Sequence, residues 1–152
     1  MPDQTSPARR ETAAFICSRD TLDGAYPSLL LAVNARRLGL DVAVFYTFMG
    51  VNIIMPGGAA KARYVPSGPL GAIPGMSAVA TKMMKGKIEG ANIPSLDELL
   101  EIAQVEGVRL VACKMTVDMM GLEPSQFIEG VEIQTAEDFM KYALGCRITM
   151  FT

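Results

Sequence analysis

The residue best suited to chemistry in this sequence is Cys113, which lies where a predicted strand meets a predicted helix. Residues 108–112 form an apolar run too short for a helix, and Met115 and Met119 then recur at helical spacing. Parallel α/β sheets place reactive groups outside the carboxyl ends of their strands. A helix N-terminus also favours thiolate over thiol. Position and chemistry therefore predict a reactive cysteine.

The same thiol fits a second interpretation, a buried and inert core cysteine, because free cysteine is among the most buried residue types. Four neighbours are candidates for supporting roles, and each also has a structural interpretation. Lys114 offers a positive charge, and Asp118 either orients it or is a solvated helix residue. Thr116 offers a hydroxyl or caps the helix, and Met115 belongs to the core or to a subunit interface.

Two further cysteines, Cys17 and Cys146, complete the set. Cys17 ends the first predicted strand at the same sheet edge as Cys113, so it is either a possible second thiol or a small core residue. Cys146 begins the last predicted strand, at the opposite edge, and is interpreted as packing. Three cysteines do not make a disulfide framework, which favours a reducing cytoplasm.

Composition excludes several classes of function. The chain has no histidine, so it contains no Ser-His or Cys-His pair and no histidine zinc ligand. We expect no cofactor and no metal. The formal charge of −2 gives no case for nucleic acid. The glycines match neither a Walker A loop nor a dinucleotide fingerprint. We also expect no signal peptide and no membrane span, because no apolar run approaches about 20 residues.

The pattern of elements predicts an α/β fold: a single-domain three-layer sandwich with a mainly parallel sheet, Rossmann- or flavodoxin-like. Residues 1–10 are expected to be a flexible tail, and residues 11–152 one domain. A helix follows the first strand, with Pro27 in its first turn. Residues 50–94 are rich in Pro and Gly, and short helical pieces are expected around 47–54 and 76–86. The remaining predicted elements are strands at 12–17, 41–46, 108–112 and 146–151 and helices at 96–106 and 136–144.

Residues 60–90 concentrate positive charge, with five cations against Glu89 alone; these are Lys61, Arg63, Lys82, Lys85 and Lys87. The local excess is four positive charges, so the rest of the chain carries six negative ones. The segment is either an ordinary solvated surface or a funnel that draws small anions or an acidic partner toward the thiol.

Three segments of the sequence resemble the DsrE/DsrF-like (DsrE/F/H) family of sulfur-relay proteins. They are Thr21-Leu22-Asp23-Gly24-Ala25-Tyr26-Pro27, Phe45-Tyr46-Thr47-Phe48-Met49-Gly50 and Ala112-Cys113-Lys114-Met115-Thr116-Val117-Asp118-Met119-Met120-Gly121. The resemblance implies a DsrE-like sandwich that assembles into homotrimers or homohexamers. It also implies that Cys113 carries sulfur. Some relatives have a second functional cysteine nearby, and here only Cys17 is available for that role.

The leading hypothesis is a cytoplasmic sulfur carrier or sulfurtransferase. In it, Cys113 accepts sulfane sulfur as a persulfide, or a thiosulfate-derived group, and passes it to a partner thiol. The family resemblance implies TusA-like carriers or rhodanese-like donors as partners, and heterodisulfide-reductase-like components as further ones. The alternatives are a non-catalytic scaffold subunit of a sulfur-metabolising complex and a nucleotide-binding oxidoreductase.

Overall fold

The computed structural model describes residues 10–152, so nearly all of the tail predicted for residues 1–10 lies outside the described residues. The helices and strands alternate along the chain. In order they are β1 (Thr12–Cys17), α1 (Leu22–Arg37), β2 (Asp41–Tyr46), α2 (Met76–Gly90), α3 (Leu96–Val105), β3 (Arg109–Cys113), α4 (Lys114–Met119), β4 (Glu132–Gln134), α5 (Ala136–Leu144) and β5 (Ile148–Phe151).

The five strands form one parallel sheet in the order β4-β3-β2-β1-β5. Helices α1 and α3 pack against each other on one side of the sheet, called here the α1/α3 face. Helix α5 covers the other side, the α5 face, where the Phe45 and Phe139 rings stack with centroids 4.4 Å apart. This architecture confirms the predicted three-layer α/β fold with a parallel sheet.

Local sequence explains most element boundaries. β1 and β2 occupy the predicted ranges because both are apolar runs that are buried on both faces. Ser95 and Glu98 form the predicted capping box of α3. The Thr135 hydroxyl accepts from the Asp138 N–H at the start of α5.

Three details of the prediction are wrong. Helix α1 begins at Leu22, directly after Thr21, so Pro27 lies in the second helical turn rather than the first. Strand β5 begins at Ile148, two residues later than predicted, because Cys146 and Arg147 still belong to the turn after α5. β4 was not identified, since its three residues carry one apolar side chain, Ile133.

The Pro- and Gly-rich region between β2 and α3 is built from short helices, as predicted. Three 3-10 helices, Phe48–Ile54, Ala59–Lys61 and Gly68–Ala72, precede α2. Gly50 allows the first of them to lie against β1, because a Cβ at this position would be 2.2 Å from the Cys17 carbonyl oxygen. This contact fixes the connection after β2 beside the carboxyl edge of the sheet.

Candidate functional site

Cys113 is the last residue of β3 and the residue that precedes α4. Its backbone is extended, with φ −68° and ψ 119°, so the chain turns into the helix directly after the thiol. The side chain belongs to the core of the α5 face, with Phe45, Val111 and Phe139. Only 2% of the residue is exposed. The predicted strand-to-helix position is therefore present, but the thiol lies beneath the surface.

A buried hydroxyl ties α4 to the neighbouring strand connection. The Thr116 Oγ1 atom accepts a hydrogen bond of 3.0 Å from the Phe48 N–H and lies 3.3 Å from the Thr47 hydroxyl. Phe48 has a φ of 47°, in the left-handed region that is uncommon for residues other than glycine. Because Thr116 is completely buried, this pair of contacts fixes α4 against the residues that follow β2.

The outer side of α4 combines one ion pair with exposed apolar side chains. The Lys114 Nζ atom contacts both Asp118 carboxylate oxygens, at 2.6 and 2.8 Å. Met115 and Met119 are more than half exposed, and Phe48, whose backbone N–H bonds to Thr116 of α4, is half exposed. We call these three apolar side chains, Phe48, Met115 and Met119, the α4 rim. They present to solvent the kind of surface that protein partners bury.

The α4 helix is only six residues long. A helix this short has few aligned peptide dipoles and marginal stability of its own. Its place in the structure therefore depends on the Thr116 contacts and on Val117, which packs into the core of the α1/α3 face.

The sheet register separates Cys17 from Cys113. Cys17 is paired with Tyr46, and Tyr46 is paired with Ala112, so these three side chains point to the same face. Cys113 is one residue beyond Ala112 and points to the other face. Both thiols lie at the carboxyl edge, as predicted, but the sheet stands between them, with β2 separating their strands.

Cys17 is held tightly on the α1/α3 face. It is completely buried, and its thiol donates to the Arg19 carbonyl oxygen at 3.3 Å. Burial raises the pKa of Cys17, an effect that hydrogen bonding with Ser28, with the Arg19 backbone and with Thr152 only partly opposes. A thiol with a raised pKa and no access is a poor nucleophile in the resting state.

Two polar atoms near Cys17 were not singled out by the sequence analysis. The Tyr46 hydroxyl and the Thr21 Oγ1 atom are buried, and neither has a hydrogen-bond partner within the described residues. Burial raises the pKa of Tyr46 well above its ordinary value, with a further contribution from Cys17. Tyr46 is therefore neutral at physiological pH, and it places no negative charge beside Cys17.

Four of the five basic residues of segment 60–90 line one groove. Lys61, Arg63, Lys82 and Lys85 line a groove between α2 and the segment before it, on the side of α1. Cys113 is not among the residues that line this groove. Within residues 10–152, no three cysteine or acidic side chains are grouped as metal ligands, and no helix is both long and apolar enough to cross a bilayer.

The fold and the cysteine position define a class: a parallel α/β protein with a cysteine at the carboxyl edge, between a strand and a short helix. Comparison with known sequences identifies the family. The profile of the DsrE/DsrF/DrsH-like family matches residues 9–151, and the chain belongs to this family.

Two curated relatives support this assignment, and one solved structure shares the fold. The chain is 35% identical over 145 residues to the sulfur carrier protein DsrE2 of Allochromatium vinosum, covering 86% of this chain and 91% of that protein. It is 29% identical to the uncharacterized protein YrkE of Bacillus subtilis, with 99% of both chains covered. The crystal structure of the ychN protein from E. coli superposes with a TM-score of 0.63 at 18% identity, covering 93% of this chain and 99% of that one. The last comparison confirms the fold.

Proposed function

We propose that this protein is a sulfur carrier in which Cys113 receives sulfur and passes it to a partner thiol. The similarity to a sulfur carrier over most of the chain supports a sulfur-relay role. The observation that carries the finer proposal is the position of Cys113, at the carboxyl end of β3 and directly before the short helix α4.

The chemistry requires two exchange steps at one sulfur atom. The Cys113 thiolate attacks the outer sulfur of a donor persulfide; the new S–S bond forms as the donor S–S bond breaks, and the donor leaves as a thiolate. With tetrathionate, the same attack yields a Cys113 thiosulfonate and releases thiosulfate. A partner thiolate then attacks the outer sulfur of the Cys113 persulfide and regenerates the Cys113 thiolate. No oxidant is consumed in these steps.

We propose that α4, which begins directly after Cys113, moves to give access to the thiol. The 2% exposure of Cys113 leaves no path for a donor in the resting structure. Displacement of a six-residue helix breaks few contacts, mainly those of Thr116 and Val117. A partner that covers the α4 rim would stabilise the displaced helix, so partner binding and thiol exposure are coupled in this proposal.

The proposal extends to partners and location. A small TusA-like carrier or a rhodanese-like protein provides the exchanging thiol, in the cytoplasm, and heterodisulfide-reductase-like components are further partners. The exposed apolar side chains on several elements favour a homotrimer or homohexamer; they include Leu38, Met150 and Phe151 as well as the α4 rim.

A second function is favoured by one observation. Because Cys113 is almost completely buried, the chain also fits a non-catalytic scaffold subunit of a sulfur-metabolising complex. Such a subunit would present its apolar surfaces to partners without covalent chemistry at any thiol.

Intact-mass spectrometry separates the two functions. After incubation with polysulfide or tetrathionate, the sulfur-carrier proposal expects an adduct of one or more sulfur atoms, or of a thiosulfonate group, that reductant removes. The adduct should be absent from Cys113→Ser and present in Cys17→Ser, the matched control. Equal loading of Cys113→Ser would overturn the role of Cys113, and no loading of the wild-type chain would favour the scaffold.

A further inference from the structure

The groove beside α2 has an unusual charge balance for a chain that is acidic overall. Its volume is about 700 Å³, and four cations line it against one carboxylate, Glu89; the cations are Lys61, Arg63, Lys82 and Lys85. Among the described residues, Lys61, Arg63 and Lys82 form no ion pair. Their charges are therefore available to a ligand.

The walls of the groove are fixed by hydrogen bonds between side chains and backbone. The Lys85 ammonium donates to the Ala60 carbonyl oxygen at 2.8 Å. The Thr81 hydroxyl accepts from the Tyr64 N–H at 2.9 Å, and the Ser77 hydroxyl donates to the Tyr64 carbonyl oxygen at 3.1 Å. The segment 60–64 is thus clamped to α2 at both ends, so a ligand would meet a preorganised groove.

The groove opens near the carboxyl edge of the sheet. Arg63 pairs with Thr21, which lies between the end of β1 and the start of α1, and the Arg63 carbonyl oxygen accepts from the Leu22 N–H at 2.8 Å. The groove and the α4 rim are consequently separate surfaces that both lie beside this edge.

We infer that this groove, which we call the α2 groove, docks an acidic segment of the protein that exchanges sulfur with Cys113. The inference rests on the proposed function for the identity of the partner, but not for the chemistry of the groove. Exposed lysine and arginine side chains pair with carboxylates and raise the rate of encounter with an acidic surface. No aromatic side chain lines the groove, so it lacks the stacking platform that single-stranded nucleic acid uses.

The direct test uses a fluorescein-labelled deca-glutamate peptide and fluorescence anisotropy at low salt. We expect the peptide to bind the wild-type chain, and Lys61→Ala and Lys82→Ala each to weaken binding by about two- to five-fold. Lys141→Ala is the matched control, because Lys141 lies on α5, at the opposite face, and is already paired with Glu137. Equal binding by Lys82→Ala and wild type would overturn the inference.

Competition experiments test the class of ligand. If thiosulfate or sulfate displaces the peptide at concentrations where chloride of equal ionic strength does not, the groove is a small-anion site and the inference is wrong. Tighter binding of a ten-nucleotide oligouridine than of the peptide would also overturn it. Displacement by salt according to ionic strength alone supports a docking surface for a protein segment.

The sulfur-loading assay keeps the two proposals distinguishable. Lys82→Ala should load sulfur from polysulfide at the wild-type rate, because a small donor does not need the groove. Peptide binding without loading of Cys113 would refute the sulfur-carrier proposal and leave the groove intact as a docking surface. Loading of Cys113 without peptide binding would refute the proposal that the α2 groove docks an acidic segment.

Discussion

The two faces of the sheet carry one thiol each, and they differ in how deeply that thiol is built into the core. The α1/α3 face, with Cys17, has several times as many buried residues as the α5 face, with Cys113. β1 is also paired on both sides, by β2 and β5. Cys113 ends a strand whose neighbour β4 has three residues, and its side chain packs in the smaller core beneath α5. Chemistry that needs access can therefore occur on the α5 face without disrupting the main core.

Phe139→Ala should produce the largest effect, because it removes the aromatic stack that holds α5 against β2. Phe139 is 2% exposed, and we expect a loss of about 3–5 kcal/mol in the free energy of unfolding, measured by urea denaturation. The alkylation rate of Cys113 should rise relative to that of Cys17. Leu144→Ala is the control, since Leu144 is on the same helix but 81% exposed. Equal losses for both variants would show that α5 is not held by the stack.

Alkylation of the native protein tests the contrast between the thiols directly. Iodoacetamide should modify Cys113 on the order of 100-fold faster than Cys17, since Cys113 lies in the smaller core whereas exposing Cys17 requires separation of the larger one. The raised pKa of Cys17 also makes its thiolate scarce at neutral pH. Peptide mapping by mass spectrometry gives both rates. Modification of Cys17 first would reverse the comparison.

Thr116→Val should have an intermediate effect. The substitution preserves side-chain shape but leaves the Phe48 N–H without its acceptor, and we expect a loss of about 1–3 kcal/mol in the free energy of unfolding. Cys113 alkylation should accelerate, because α4 is less firmly tied. Thr116→Ser retains the hydroxyl and should keep the wild-type alkylation rate. If Thr116→Ser behaves like Thr116→Val, the methyl group rather than the hydrogen bond holds α4.

The smallest expected effect is on stability at low pH, and it comes from the Arg109–Glu132 ion pair between β3 and the edge strand β4. The bidentate contact from Arg109 lowers the pKa of Glu132 below its ordinary value of 4.5. A lowered pKa in the folded state means that the pair stabilises the fold above about pH 4.5 and loses this contribution as the pH falls through the folded value. The side chains are about two-fifths exposed, so we expect about 0.5 kcal/mol.

Urea unfolding between pH 6 and 3 checks this expectation. Glu132→Gln should lose less stability on acidification than wild type by that small amount. Glu101→Gln, which changes an exposed carboxylate on α3, should follow the wild-type curve. Parallel curves for wild type and Glu132→Gln would show that the Arg109 pair contributes nothing to the β4 edge.

Local pattern predicts elements well where one apolar run or one cap decides them. β1, β2 and α5 follow from such signals, and so does the position of Cys113 at a strand end. β4 carries almost no signal of its own, because it is formed by pairing with β3. The start of α1 was predicted too late because Pro27 was assigned to the first turn. Whether a helix accepts proline in its second turn depends on the surrounding fold.

The placement of the two thiols on opposite faces of the sheet could not be predicted from local sequence pattern. Side chains alternate between the two faces along each strand, so the sequence places each cysteine relative to its own strand. Whether Cys17 and Cys113 share a face depends on the register across β1, β2 and β3. The placement of the basic residues also required the tertiary structure, since the clamp between segment 60–64 and α2 joins residues about 20 positions apart through backbone atoms. The sequence shows that the segment is positively charged, whereas the groove that its cations line is defined only by the tertiary structure.

The pairing of β1 with β5 has a consequence for biosynthesis. Ala13–Ile16 find their partners only at Ile148–Phe151, so one edge of an uncharged apolar strand stays open until the last strand has left the ribosome. At ordinary translation speeds this interval is on the order of ten seconds. During that time the nascent chain presents the type of edge that pairs with other chains. Its yield in cells should therefore depend on chaperones that shield β1 more than on the stability of the finished sheet.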